Sequence, residues 1–358
     1  MKLLIATGGT GGHIYPALAL ADEAKKRYSD IDILFIGNDD RMEATEVPAK
    51  GYRFIGLHAC GLTGSIANKV KALWLMSKVY RKALHIIDDF KPDLVIGFGG
   101  YVSAPVMLAA HTRHCKTMIH EQNSIVGLSN KMVAKYMDAI VICYDKCFEE
   151  FGREKTRLLG NPRATNAVHA EFDEAYFKSL GLTMDKPLIL VVMGSLGSSS
   201  INEIMKDVLP SVDQKYQILF VSGKNNYEEM KHCFHQENIV VVDYVKQLDI
   251  IKKVDLIICR AGATTAAEIT ALGTPSILIP SPYVAHNHQF YNASVLVEKK
   301  AAYMIEEKDL NAETLREKIN AIMDHPEVKA EMHKHSLALG RPNASRDILD
   351  WCQELKGE

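Results

Sequence analysis

Neither sign of charge dominates this 358-residue chain: 42 Lys and Arg stand against 44 Asp and Glu, a formal net charge of −2. Bulk electrostatics therefore argue against a nucleic-acid binder, although they leave room for a local basic patch. Long hydrophobic runs are missing as well. No apolar stretch is long enough to span a bilayer, which points to a protein that is soluble or peripheral to a membrane. The first apolar run, Leu3 to Ala6, meets Gly8 too early to form the core of a secretory signal. Cysteine is sparse: seven residues, an odd number without framework spacing, indicate reduced cytosolic thiols rather than a disulfide scaffold. The one close pair, Cys143 and Cys147, is expected to face a helix interior rather than a metal.

What remains is an ordinary globular composition, 47% hydrophobic and 24% charged, in a chain longer than one core usually organises. Short Val/Ile/Leu-rich runs alternate with helical patterns. The first half offers strands at Lys2 to Ala6, Ile33 to Ile36, Leu94 to Gly97, Thr117 to His120, Ala139 to Ile142 and Arg157 to Leu159. The second offers Leu188 to Met193, Gln217 to Val221, Ile239 to Val242, Leu256 to Cys259 and Ser276 to Ile279. Strands this apolar are buried on both faces, so the expected class is α/β, with two Rossmann-like doubly wound domains. The Gly160-Asn161-Pro162 cluster sets the expected boundary, giving domains at 1–162 and 163–342.

Glycine-rich turns follow four of these strands: Gly8-Gly9-Thr10-Gly11-Gly12, Gly97-Phe98-Gly99-Gly100-Tyr101, Gly194-Ser195-Leu196-Gly197 and Arg260-Ala261-Gly262-Ala263-Thr264-Thr265. A turn with few Cβ atoms lets backbone N–H groups approach an anion, and a following helix N-terminus favours negative charge there. The first turn matches neither the dinucleotide fingerprint nor a P-loop. It ends on His13, whose imidazole suits proton transfer near neutral pH. Glu268 lies about one helical turn beyond Thr264. It reads equally as an acceptor for ribose hydroxyls or as a solvated acid near a helix start.

Two metal-like patterns carry little. Asp30-Ile31-Asp32 precedes a strand instead of following one and reads as a solvated turn. His120-Glu121 lacks the second histidine of a zincin, because position 124 is Ser. The segment from Lys69 to Lys82 is more informative. Val70, Leu73, Trp74, Met76, Val79 and Tyr80 sit among Lys69, Lys71, Lys78, Arg81 and Lys82, with no acid. It reads either as an interfacial helix drawn to anionic lipid or as a core-packing helix with a basic edge.

Taken together, these segments resemble the MurG family, peptidoglycan glycosyltransferases of GT-B architecture. The segments that carry the resemblance are the glycine loop ending in His13, Gly97 to Pro105, His120-Glu121-Gln122-Asn123, Asn161-Pro162-Arg163, Gly194 to Gly197, Cys259 to Glu268, and His288-Gln289 with Asn292-Ala293. They occur in family order over nearly the whole chain.

The resemblance implies two domains facing a central cleft, with a C-terminal helix, 343–356, packing back on the first. It implies an inverting, metal-independent transfer of N-acetylglucosamine from UDP-N-acetylglucosamine to lipid I, without a cofactor, at the cytoplasmic face of the bacterial cell membrane. Anionic lipid would be a partner and nucleic acid would not. Thr10, Gly11 and Gly12 match the loop against the phosphates, and His13 matches the proposed base. Gly99, Gly100, Tyr101 and Ser103 match an acceptor and diphosphate loop. Asn123 matches a residue near the transferred sugar, and Arg163 and Ser195 match donor contacts beside the diphosphate. The position of Val245 reads uracil through its backbone. Arg260, Ala263, Thr264 and Thr265 belong to the donor site, Glu268 matches the ribose-binding acid, and His288 and Gln289 match a pair on the sugar hydroxyls.

The chain departs from the family pattern at His288, at Ala104 and at Met193, where Gln, Gly and Gly are common. Competing readings are a related transferase using another acceptor, a UDP-N-acetylglucosamine 2-epimerase, and a non-catalytic nucleotide-sugar-binding subunit that recruits a partner to the membrane.

Overall fold

The structure, a computed structural model, describes residues 1–61, 65–194 and 197–357. Its chain divides into two compact units, Met1–Thr165 with Asn343–Glu358, and Asn166–Pro342. The division falls inside the helix Pro162–His169.

The first unit holds β1 (Lys2–Ala6), β2 (Asp32–Asn38), β3 (Arg53–Leu57), β4 (Leu94–Gly97), β5 (Lys116–Glu121), β6 (Ala139–Ile142) and β7 (Thr156–Leu158). They form a parallel sheet in the order β3-β2-β1-β4-β5-β6-β7. The chain winds outward from β1 in one direction and from β4 in the other. The C-terminal ends of β1 and β4 are therefore the switch point, where open sheets of this kind bind ligands. Helices α1 (Gly11–Arg27), α2 (Glu43–Ala49), α3 (Ile66–Phe90) and α4 (Ser103–Thr112) supply crossovers. The C-terminal helix Ala344–Lys356 belongs to this unit: Ile348, Leu349, Trp351 and Cys352 share a core with Leu3, Ile5, Ile14 and Phe35. Arg27–Asp350 and Arg157–Glu354 ion pairs flank that contact.

The second unit repeats the plan with β8 (Leu188–Val192), β9 (Gln217–Val221), β10 (Ile239–Val242), β11 (Val254–Cys259), β12 (Ser276–Leu278) and β13 (Tyr303–Met304). All pairings are parallel, in the order β10-β9-β8-β11-β12-β13. Its switch point lies between β8 and β11.

Two strands, β3 and β13, are absent from the sequence-based set. Both are edge strands. β3 carries Arg53 and Gly56 and is only partly buried, and β13 has two residues. A strand covered on one side does not need the continuous apolar run that marks a central one. Cys143 also departs from expectation, since it lies in the bend after β6 and not on a helix. Among the described residues, no helix is long and apolar enough to cross a membrane.

Candidate active site

At the first switch point the chain leaves β1 through Thr7-Gly8-Gly9-Thr10 and enters α1. Thr10 is the N-cap in extended geometry, its side chain makes no capping bond, and the first turn contains no acid. No acid of its own first turn offsets the positive end of this 17-residue helix; the carboxylate beside it, Glu43 on the Gly9 amide, comes from α2. The facing loop after β4 comes very close. A Cβ on Gly100, which has φ +90°, would fall on the Gly8 carbonyl oxygen. Glycine at 100 is thus a packing requirement of the loop pair. The His13 ring lies against Gly99, and its Nδ1 is 3.0 Å from the Gly8 carbonyl oxygen. A carbonyl only accepts, so Nδ1 carries the proton in this bond.

The neighbouring residues are held from below. Gln122 Nε2 donates to the Phe98 carbonyl at 2.8 Å, and Ser129 Oγ donates to the Gly100 carbonyl at 2.8 Å. Buried Glu121 accepts from the Asn123 and Gly127 amides and from Asn130 Nδ2. Burial raises its carboxyl above the usual range, opposed by those hydrogen bonds. These contacts fix the loop on which Asn123 sits. His120 stacks on Phe98 with ring centroids 5.0 Å apart. Its Nε2 donates to the Gly160 carbonyl at 3.0 Å, and burial pushes its pKa down to about 4. Tyr101 is exposed, whereas Ser103 is buried with its hydroxyl packed toward Gly97. Arg163, on the helix after Pro162, places its guanidinium 5.9 Å from the Tyr15 ring centroid.

At the second switch point, Gly194 and Gly197 both have positive φ; Ser195 lies outside the described residues. Arg260, at the end of β11, donates to Ser198 Oγ at 3.1 Å, to the Ile279 carbonyl at 3.1 Å and to Glu307 at 2.8 Å. Its charge is thus matched by a nearly buried carboxylate, and the side chain ties the two loops of this switch point together. The expected place of Arg260 in the donor site did not include that carboxylate partner. Gly262 caps the helix Ala263–Leu272, whose first turn again lacks an acid.

Ala263, Thr264 and Thr265 form that turn, and Thr264 Oγ1 is buried without a hydrogen-bond partner. Glu268 is 3% exposed, which overturns the solvated alternative. Gln247 Nε2 donates to Glu268 Oε2 at 3.0 Å, and the Glu268 charge adds to burial in raising the Cys259 thiol. Val245 is buried in the loop before Gln247. Asn292 Nδ2 donates to the Ala261 carbonyl at 3.2 Å. Gln289 Oε1 accepts from the Ser281 amide at 2.8 Å, while His288 is half-buried and its Nδ1 donates to the Ala285 carbonyl at 2.9 Å.

The first unit therefore assembles Thr10, Gly11, Gly12, His13, Gly99, Gly100 and Asn123 around β1 and β4. In the second, Arg260, Thr264 and Glu268 follow β11, Val245 follows β10 and Gln289 follows β12. Asp30 is exposed in a turn and Asp32 pairs with Arg53 at 3.2 Å. Glu43 is a site residue that sequence reading missed. It is fully buried, and its carboxylate accepts from the Gly9 amide. Nothing in the local pattern separates it from the neighbouring Glu46.

On α3 the five cations are exposed, as are Ile66, Val70, Leu73 and Trp74, the first at 82% and the last at 55%. The opposite face, Ala72, Leu75, Val79, Ala83, Ile87 and Phe90, is buried.

Two Rossmann-like parallel-sheet units with glycine turns and acid-free helix starts at both switch points define the GT-B class of nucleotide-sugar enzymes. The N-terminal domain model of glycosyltransferase family 28 matches residues 3–142, and its C-terminal domain model matches residues 188–348. The UDP-N-acetylglucosamine–N-acetylmuramyl-(pentapeptide) pyrophosphoryl-undecaprenol N-acetylglucosamine transferase of Halalkalibacterium halodurans is 41% identical over 355 residues, 97% of this chain and 98% of that protein. The enzyme of the same name from Caldanaerobacter subterraneus is 39% identical over 357 residues, with coverage of 97% and 98%. The chain belongs to this family, the MurG branch of glycosyltransferase family 28.

The crystal structure of Acinetobacter baumannii MurG shares the fold at a TM-score of 0.81, with 24% identity and 99% of each chain covered. A UDP-N-acetylglucosamine 2-epimerase from Neisseria meningitidis, bound to UDP-N-acetylglucosamine, has a TM-score of 0.68 at 13% identity, covering 99% of this chain and 100% of that one. The fold alone thus does not separate transfer from epimerisation.

Proposed function

We propose that this protein transfers N-acetylglucosamine from UDP-N-acetylglucosamine to lipid I, undecaprenyl-diphosphate-N-acetylmuramoyl-pentapeptide, forming lipid II with inversion at the anomeric carbon. The observation that carries this reading is the near full-length kinship, at 41% identity, to a transferase of that name. The geometry supports the roles. In the second unit, Glu268 accepts the ribose hydroxyls and the backbone around Val245 reads the uracil. The start of the helix Ala263–Leu272, with Thr264 and Thr265, receives the diphosphate. Helix dipoles and N–H groups stabilise the charge that builds on departing UDP, which serves the chemistry without a metal or cofactor. In the first unit His13, protonated on Nδ1, offers Nε2 to the acceptor hydroxyl. As the hydroxyl oxygen bonds the anomeric carbon, its proton passes to Nε2 and UDP leaves with the electron pair of the broken bond.

The exposed apolar and basic face of α3 docks on anionic lipid of the cytoplasmic leaflet, where the lipid-linked acceptor lies. Each cation near the surface adds about 1 kcal/mol to such docking, and the buried face holds the helix on the domain. The deciding experiment supplies radiolabelled UDP-N-acetylglucosamine with a lipid I analogue, with other acceptors, and with none, each with and without a chelator. Labelled lipid made from lipid I in the presence of chelator is the expected result. Acceptor-independent release of UDP would instead indicate an epimerase, and binding without turnover a non-catalytic subunit.

A further inference from the structure

The assignment of His13 as the base raises the question of what fixes its ring, and the peptide unit Gly8–Gly9 supplies the answer. Both polar atoms of that peptide are engaged. Its carbonyl oxygen, on Gly8, accepts from His13 Nδ1 at 3.0 Å. Its amide, on Gly9, donates to both carboxylate oxygens of Glu43 at 3.2 Å. Glu43 has no exposed surface. Its Oε1 also accepts from the Asn38 amide at 2.9 Å and from Asn38 Nδ2 at 3.1 Å. Asn38 is anchored in turn, because its Oδ1 accepts from the Ala59 amide at 3.2 Å. Gly100 closes over the Gly8 carbonyl, leaving no room for a Cβ. The peptide plane is therefore held from several sides, with a buried carboxylate at one end and the imidazole at the other.

We propose that Glu43 is a positioning residue for the transfer reaction, acting on His13 through this single peptide unit. The proposal rests on the reading of His13 as the base. A carbonyl oxygen can only accept, so its bond to the ring holds the proton on Nδ1 and leaves the lone pair on Nε2. A carboxylate bonded to the amide of the same peptide polarises it and places more negative charge on that carbonyl oxygen. When Nε2 takes the acceptor proton, the ring becomes a cation and its Nδ1–H bond to Gly8 becomes charge-assisted. The carboxylate one peptide away then opposes the new charge. An acid that orients and compensates a histidine is familiar from hydrolytic triads; here a backbone peptide stands between the two.

Glu43→Gln keeps the shape and removes the charge. Its kcat is expected to fall roughly 10- to 100-fold, the range seen when a partner that orients a functional histidine is removed, with KM for UDP-N-acetylglucosamine unchanged. Glu43→Asp, which restores the charge on a shorter arm, should recover part of the loss. In a His13→Ala background the Glu43→Gln change should cost nothing further, because its route to the reaction is gone. Nitrogen NMR of ¹⁵N-histidine-labelled protein, with His13 assigned by its loss in His13→Ala, should show Nδ1 protonated in the parent and a shift toward the other tautomer in Glu43→Gln.

A raised KM at parent kcat, a full additional loss in the His13→Ala background, or an unchanged tautomer would each overturn the proposal. Should neither Glu43 variant fold, the parent spectrum still decides, since a ring protonated on Nε2 alone contradicts it. A His13→Ala enzyme with parent turnover would instead overturn the base assignment itself, and the single variant reads that out alone.

Discussion

Gln247 holds Glu268: the amide of Gln247 donates to one carboxylate oxygen at 3.0 Å, at a residue that is 3% exposed. The Gln247 amide thus fixes the orientation of a carboxylate that the fold has buried. Glu268→Ala is therefore expected to weaken UDP binding by roughly 2 to 3 kcal/mol, through loss of charge-assisted bonds to ribose. Calorimetry on the folded variant checks this, and unchanged affinity would remove Glu268 from the donor site.

Binding and chemistry separate at His13. Its ring hangs from the glycine loop of the first unit, whereas the uracil and ribose contacts proposed at Val245 and Glu268 lie in the second. His13→Ala should lower turnover by about 10²- to 10⁴-fold and leave UDP affinity near that of the parent. Steady-state kinetics at saturating acceptor, paired with UDP titration, is the measurement. Near-parent turnover would leave His13 as a residue that shapes the loop.

The lipid-docking face of α3 is separable from its packing face. Lys69, Lys71 and Lys78 are exposed, and Lys78 Nζ lies 3.5 Å from the Trp74 ring centroid. Changing these three lysines to Glu should sharply reduce flotation with anionic vesicles, and added salt should no longer weaken the binding that remains. UDP binding and activity on a short-chain soluble acceptor should persist, while activity on vesicle-borne lipid I drops. Parent-like flotation by the folded triple variant would exclude this face.

Acid should loosen the first unit through His120. Burial pushes its pKa down to about 4, outweighing the bond to the Gly160 carbonyl, against an ordinary value near 6.5 in the unfolded chain. Between those values the unfolded chain binds a proton that the folded one excludes. The stability contributed by the neutral ring is thus complete above pH 6.5 and falls as pH drops toward 4, by about 3 kcal/mol at most. His120→Gln should flatten this dependence. Denaturant titrations at several pH values in that window check it, and an equal slope in parent and variant would show that other groups dominate.

The central strands were legible because strands buried on both faces are written as unbroken apolar runs; β1, β4, β6 and β9 begin and end where the pattern predicts. The edge strand β10 was legible too, through its apolar run from Ile239 to Val242, whereas the edge strand β3 was not, since it needs only one covered side and tolerates Arg53 and Gly56. The residues of α3 allowed two readings. The fold gives the helix a buried face and an exposed one, with the period of 72, 75, 79, 83 and 87 choosing which residues face the core.

Local order in the chain determined the glycine turns, the acid-free helix starts and the placing of His13 directly after one of them, because each depends on neighbours within a few residues. Tertiary structure decided the rest. Glu43 meets the Gly8–Gly9 peptide from 34 residues away, Arg260 finds Glu307 across 47, and Gln247 reaches Glu268 across 21. Whether a carboxylate is solvated or buried, and which donors it meets, depends on parts of the chain that only folding brings together. No local pattern distinguishes Glu43 from Glu46.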